Sequence, residues 1–255
     1  MFHFNIIDIM TLTSYFFLPL VRILAFLSIS PIFNEKIVNN KIKFILAACI
    51  TFLIAPFLPK IHLSLFSSVG LILFLHQILI GCALGFIIQF LFITANLAGE
   101  IISLQIGLSF ATFFDMNTHL GTSIISRLLN IYVLFFFLAL NGHLQVINIL
   151  VNSFYAIPID ENYLYANIFL IILKFSGYIF IHGITLSLPI IIFLLALNIV
   201  MGIINRLSPQ ISIFSMGLSL NLLIGISLLY NLIMSIFPFL KNIFNELMLF
   251  IGDIF

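Results

Sequence analysis

Six long apolar runs dominate this chain, at roughly residues 12–33, 42–59, 68–96, 124–151, 166–200 and 210–238, and few charges interrupt them. About 20 apolar residues suffice to cross a bilayer as a helix. Inside hydrocarbon the backbone polar groups have only one another for partners, so such runs form helices. They predict an all-α integral membrane helical protein with about six long apolar helices or helical hairpins. The third and fifth runs exceed one span, which implies tilted, extended or broken helices. Pro19, Pro31, Pro56 and Pro189 lie in or near the runs. Each removes a helical hydrogen bond, so several helices are expected to be kinked. Only 7% of the residues are charged, against about 25% in a soluble domain. That leaves too little polar surface to face water. No linker separates two regions, so residues 1–255 read as a single membrane-embedded domain.

The polar connections are short. Residues 34–43, NEKIVNNKIK, carry Lys36, Lys41 and Lys43 against Glu35, and NRLSPQ at 205–210 carries Arg206. IPIDENYLYAN at 157–167 carries Asp160 and Glu161 and no base. Basic loops stay cytoplasmic, which puts 34–43 and 205–210 inside and 157–167 outside. Six complete spans then fit with both termini outside. The tail KNIFNELMLFIGDIF has the spacing of an amphipathic helix lying on protein or membrane. The N-terminus, MFHFNIIDIM, has neither a positive n-region nor a small-residue cleavage site, unlike a conventional signal peptide.

Most chemical signatures are missing. There is no phosphate-cradling GxxxxGK[ST] and no HExxH. GLSFA and GLSLN lack the last glycine of a nucleophile elbow. The histidines are scattered, and the two cysteines, Cys49 and Cys82, sit in apolar runs as small hydrophobes. No catalytic residue, cofactor site or metal site is expected. A formal charge of +1 leaves no basic stripe for nucleic acid. The charges that stand out are Arg22, Glu100, Arg127 and Lys174, within or near apolar segments. Such groups face a protein interior or water. For Arg22 and Lys174 the plain reading is snorkelling or a structural ion pair. For His76, Gln77, Gln89 and His182 it is interhelical hydrogen bonding.

Small residues recur every four positions at Ala95, Gly99, Ser103, Gly107 and Ala111, a stripe down one helix face, and GCALG at 81–85 is a GxxxG match. Small faces allow close helix approach, either within the chain or on another subunit. The stripe leads into GLSFATFFDMNTHLG, residues 107–121, too polar to span and too aromatic for a loop in water. As a helix, 107–114 would bring Phe110 together with Phe113 and Phe114 at i+3 and i+4. Gly107 and the turn-prone residues 115–121 let the chain enter and leave a narrow place. The plain reading of these bulky apolar groups is that they pack a core.

The ordered set LPLVRILAFLSISPIF (18–33), QILIGCALGF (77–86), GEIISLQIGLSFATFFD (99–115), NGHLQVI (141–147) and LPIIIFLLALNIVMGIINRLSPQISIF (188–214) resembles the FliR family of flagellar biosynthetic proteins over nearly the whole chain. The resemblance implies a subunit of the export gate of the flagellar type III secretion apparatus, in the bacterial inner membrane within the basal body. It implies partnership with FliP- and FliQ-type subunits, with FlhB-type and FlhA-type components, and with unfolded flagellar substrates. It also implies helical hairpins partly covered by neighbouring subunits, and a re-entrant segment near 107–121. Phe110, Phe113 and Phe114, with Met116 beside them, are then the pore plug. Met116 stands where many relatives have proline, and Leu218-Ser219 where many have Phe-Pro. The competing reading is a small-solute secondary transporter, which would want coordinating polar groups on broken helices in paired repeats.

Overall fold

The structure is a computed structural model that describes residues 6–31, 33, 38–58, 68–108, 123–159, 167–207 and 213–254. Among the described residues it is helical throughout, without a strand. The elements are α1 (Ile6–Ile29), α2 (Asn40–Ile54), a 3-10 turn (Ala55–Phe57), α3 (Ser68–Ile106), α4 (Ile124–Ala139), α5 (Gly142–Ala156), α6 (Asn167–Leu207) and α7 (Ile213–Ile254). The all-α membrane class read from the apolar runs is the observed one.

The helix ends follow from local chemistry. Asn39 caps α2, its side chain accepting from the backbone N–H of Lys41 at 3.3 Å. Gly107 ends α3 with φ 93, and its N–H donates to the carbonyls of Ser103 (3.1 Å) and Leu104 (3.2 Å). That is the left-handed glycine stop, which a residue with a Cβ adopts only under strain. The run read as 124–151 is broken between α4 and α5. Asn141 there takes φ 54, a conformation asparagine tolerates better than most residues, and its carbonyl accepts from Leu144 and Gln145.

Two expectations change. Among the described residues, four helices are long and apolar enough to cross a membrane, or five if α4 and α5 form one bent span. The run read as one span at 124–151 is broken there, and α1 enters that count only from Tyr15 to Ile29. The tail is no separate surface helix. α7 continues through Pro238 to Ile254. Pro19 and Pro189 also lie within continuous helices. Pro56 sits in the 3-10 turn and Pro31 in the turn after α1. At a helix end the missing N–H costs little.

The chain divides into two compact units. One comprises Met1–Phe90, Asn141–Phe175 and Leu247–Phe255, the other Leu91–Leu140 and Ser176–Glu246. In the first, α1 packs on α2, and Leu18, Ile23, Phe26, Ile80, Leu84 and Phe154 are buried. A Cβ on Gly81 would collide with the Arg22 carbonyl oxygen, and one on Gly85 would lie 2.9 Å from the Ile29 Cβ. GCALG is thus where α3 meets α1. The Tyr15 hydroxyl donates to the carbonyls of Ala55 and Leu58, tying α1 to the turn after α2.

In the second unit Ile102, Ile106, Leu129, Val133, Leu194, Ile236 and Leu240 are buried. Phe137 contacts Phe92 (5.9 Å) and meets Phe244 edge-on (5.9 Å), while Phe136 meets Phe237 edge-on (5.2 Å). Such pairs add about 0.5–1.5 kcal/mol beyond their buried area. Where lipid competes as an apolar solvent, close packing of this kind holds helices together better than hydrophobicity does. In α3, 56% of Val69–Ile106 is buried, against only 17% of Ser176–Leu207 in α6 and of Gly217–Gly252 in α7. The exposed faces of α6 and α7 carry Ile192, Phe193, Ile199, Leu223 and Met234, fit for lipid or partner helices.

Candidate functional site

The residues Phe110, Ala111, Phe113, Phe114 and Met116, and so most of the expected re-entrant segment, lie outside the described residues. The two stems that bracket them are described, and they are held together.

On one side α3 runs to Ile106 and stops at Gly107; on the other α4 starts after its cap, Ser123. The Ser123 hydroxyl accepts from the Ser126 N–H at 3.2 Å, an ordinary N-cap. A second capping group comes from α3. Glu100 Oε1 accepts from the Ser123 N–H at 2.8 Å and from the Ser126 hydroxyl at 2.9 Å. A carboxylate suits the positive end of a helix, and hydrogen bonds to a charged acceptor are stronger than neutral ones. The Ser126 hydroxyl also lies 3.2 Å from the Asn96 carbonyl oxygen and 2.8 Å from the Ser123 hydroxyl. One turn further, the Asn130 amide donates to the Asn96 side-chain oxygen at 3.4 Å.

These polar groups meet because α3 is thin here. A Cβ on Gly99 would lie 2.5 Å from the Ser126 Cα and 2.8 Å from its nitrogen. Within the small-residue stripe, Ala95, Gly99 and Ser103 are buried, and Gly107 forms the helix stop. At Gly99 the stripe packs within the chain, on α4. Two more glycines press on α3 from other helices. A Cβ on Gly183 of α6 would lie 2.5 Å from Leu97 Cδ2, and one on Gly225 of α7 2.5 Å from Ile106 Cγ1. The end of α3 is therefore enclosed by α4, α6 and α7. Sequence reading missed Ser123, Ser126, Gly183 and Gly225. A lone glycine among bulky neighbours was the available signal for the last two.

In the other unit Arg22 is fully buried and neither snorkels nor joins an ion pair with a carboxylate among the described residues. Its Nε donates to Gln77 Oε1 at 2.6 Å, its Nη1 to the Ser153 carbonyl at 2.9 Å and its Nη2 to the Ile157 carbonyl at 3.0 Å. The guanidinium lies 4.3 Å from the Phe154 ring centre. Ser153 lies in the last turn of α5 and Ile157 is its C-cap, so both carbonyls belong to the negative end of that helix. Arg22 caps them, and its charge is balanced by a helix end and a ring face. Gln77 thus makes the interhelical bond expected of it.

Arg127 is exposed on α4. Lys174 lies in α6 with its side chain outside the description. His182 pairs with Glu246 at 3.3 Å between α6 and α7, stacked against Tyr178. His76 Nε2 is buried without a partner.

A family described as bacterial export proteins, family 1, matches residues 13–247, a range that includes Arg22 and both stems. The chain is 58% identical over 251 residues to the flagellar biosynthetic protein FliR of Buchnera aphidicola subsp. Schizaphis graminum, covering 98% of this chain and 97% of that one. It is 45% identical over 239 residues to the protein of that name from Escherichia coli K12, covering 94% and 92%. To the one from Aquifex aeolicus it is 31% identical over 220 residues, covering 86% and 83%.

Proposed function

The chain belongs to the FliR family of flagellar biosynthetic proteins, and from that premise we propose that it is a subunit of the gate through which unfolded flagellar proteins cross the bacterial inner membrane. It is a flagellar export component and a membrane protein. Its part is structural: it shapes the channel with FliP- and FliQ-type subunits, next to FlhB- and FlhA-type components. Energy comes from a partner ATPase and the proton gradient.

The observation that carries the gate reading is the clamped pair of stems. α3 ends at Ile106 and Gly107, and the cap of α4, Ser123, is held beside it by Glu100. Glu100 lies about 1.7 turns, roughly 9 Å, before the end of α3 at Ile106. The resemblance makes Phe110, Phe113 and Phe114, which fall between those two helix ends in sequence, the plug of the lumen. Their bulk closes the lumen by dewetting, which excludes ions without attracting them. The exposed apolar faces of α6 and α7 support a place among other helical subunits.

Copurification tests this reading. Tagged chain, expressed in a strain lacking its own FliR-family protein, should capture FliP- and FliQ-type subunits and restore flagellin secretion. A chain that stays monomeric and takes up small solutes would contradict it.

A further inference from the structure

Resting on the reading of this chain as one subunit among helical partners, we propose that the face of α6 bearing Leu195, Asn198, Ile199 and Gly202 seats a membrane helix of another export subunit. That helix presents a small residue to Gly202 and a hydrogen-bond acceptor to Asn198. The four residues stand at i, i+3, i+4 and i+7, one face of the helix, and all four are exposed. The segment around them, Ser176–Leu207, is long and apolar enough to cross a membrane. Arg206 sits in its last turn, where a cation marks the polar edge of a span. Asn198 lies eight residues deeper, roughly 12 Å, in a hydrocarbon core about 30 Å thick. Its side chain is too short to reach the membrane surface from there.

Asn198 meets Asn221 of α7, whose amide donates to the Asn198 side-chain oxygen at 2.9 Å. That bond occupies the Asn198 oxygen and leaves its NH2 group without a partner among the described residues, on an exposed side chain. Lipid offers no acceptor for such a group. Water offers one, but Leu195, Ile199 and the neighbouring Ile203, each more than half exposed, make the face apolar. A helix meets both demands, with apolar side chains over Leu195 and Ile199 and one polar group over the amide. Gly202 gives it room, because nothing lies within 4 Å of a Cβ placed there. Glycine weakens a helix interior, whereas a small residue on an outer face lets a second membrane helix come close.

The occupant can be tested in membranes that carry the other export subunits. With Cys49 and Cys82 replaced by serine, Leu195→Cys and Ile199→Cys are treated singly with a charged methanethiosulfonate and with an apolar maleimide. In the isolated chain in detergent both cysteines should react with the maleimide. In the complex both should be protected from both reagents. Fast reaction with the charged reagent would make the face water-lined, and reaction with the apolar one alone would make it lipid-facing; either overturns the proposal. Gly202→Leu meets open space in this chain, so the melting temperature of the isolated chain should not fall. It should lower capture of the export subunits that the parent captures about tenfold, the order of an overpacked contact. Asn198→Leu should lower capture about threefold, the order of one interhelical hydrogen bond in a membrane. Asn198→Gln, which keeps an NH2 group, should restore part of it. Parental capture by both leucine variants overturns the proposal. If Asn198→Leu also destabilises the isolated chain by stranding Asn221, Gly202→Leu decides alone. If the parent itself captures no export subunit, the subunit reading fails on its own, and the labelling still decides what covers this face.

Discussion

Gly99 of α3 and Ser126 of α4 approach so closely that a Cβ on the glycine would lie 2.5 Å from the serine Cα. The neighbour is backbone, which cannot swing aside. This contact brings the Glu100 carboxylate to the end of α4 and makes the small-residue stripe an internal seam at this point.

Gly99→Leu should therefore push α3 and α4 apart. Overpacking of this kind costs about 1–3 kcal/mol or more, and the yield of assembled complex in mild detergent should fall. Normal yield would reject the seam.

Gly225 and Gly202 make a matched pair. Gly225 faces Ile106, while nothing lies within 4 Å of a Cβ on Gly202. Gly225→Ala should lower the apparent melting temperature of the purified protein. Gly202→Ala should leave it unchanged or raise it slightly, since alanine gains about 0.5–1 kcal/mol over glycine within a helix. Equal effects would mean that the glycines near α3 are not packing devices.

Replacing Arg22 by methionine keeps much of its volume but strands Gln77 and the Ile157 carbonyl, while the Ser153 carbonyl keeps only its bond from the Ile157 N–H. Buried acceptors left unpaired cost about 1–3 kcal/mol, so thermal stability should drop clearly. Arg22→Lys should rescue only in part, because one ammonium cannot reproduce the planar fork. A methionine variant as stable as the parent would show that the cap adds nothing.

Glu246→Gln should behave differently. Its partner His182 is partly exposed and Glu246 is 58% exposed. Such pairs contribute at most about 1 kcal/mol. A loss of stability matching that of the Arg22 variant would overturn this ranking.

The apolar runs foretold the helices well, because hydrocarbon leaves the backbone few alternatives. The break at Asn141 was hidden, since a single left-handed residue does not interrupt hydrophobicity. The tail looked separate because polar residues punctuate it, yet helix periodicity carries α7 across Pro238. GCALG was readable as a packing face, because two glycines in register exist for little else. The partners of Arg22 and Glu100 were not readable. Arg22 binds backbone carbonyls over 130 residues away, and Glu100 binds a backbone amide; neither leaves a mark in side-chain pattern.

The central claim is that Phe110, Phe113 and Phe114, tethered by these stems, close an export channel. The most direct measurement is ion conductance across membranes containing the assembled complex, with the three phenylalanines changed together to alanine. The account predicts complexes that assemble normally and leak ions at rest. An assembled triple variant as tight as the parent would contradict it.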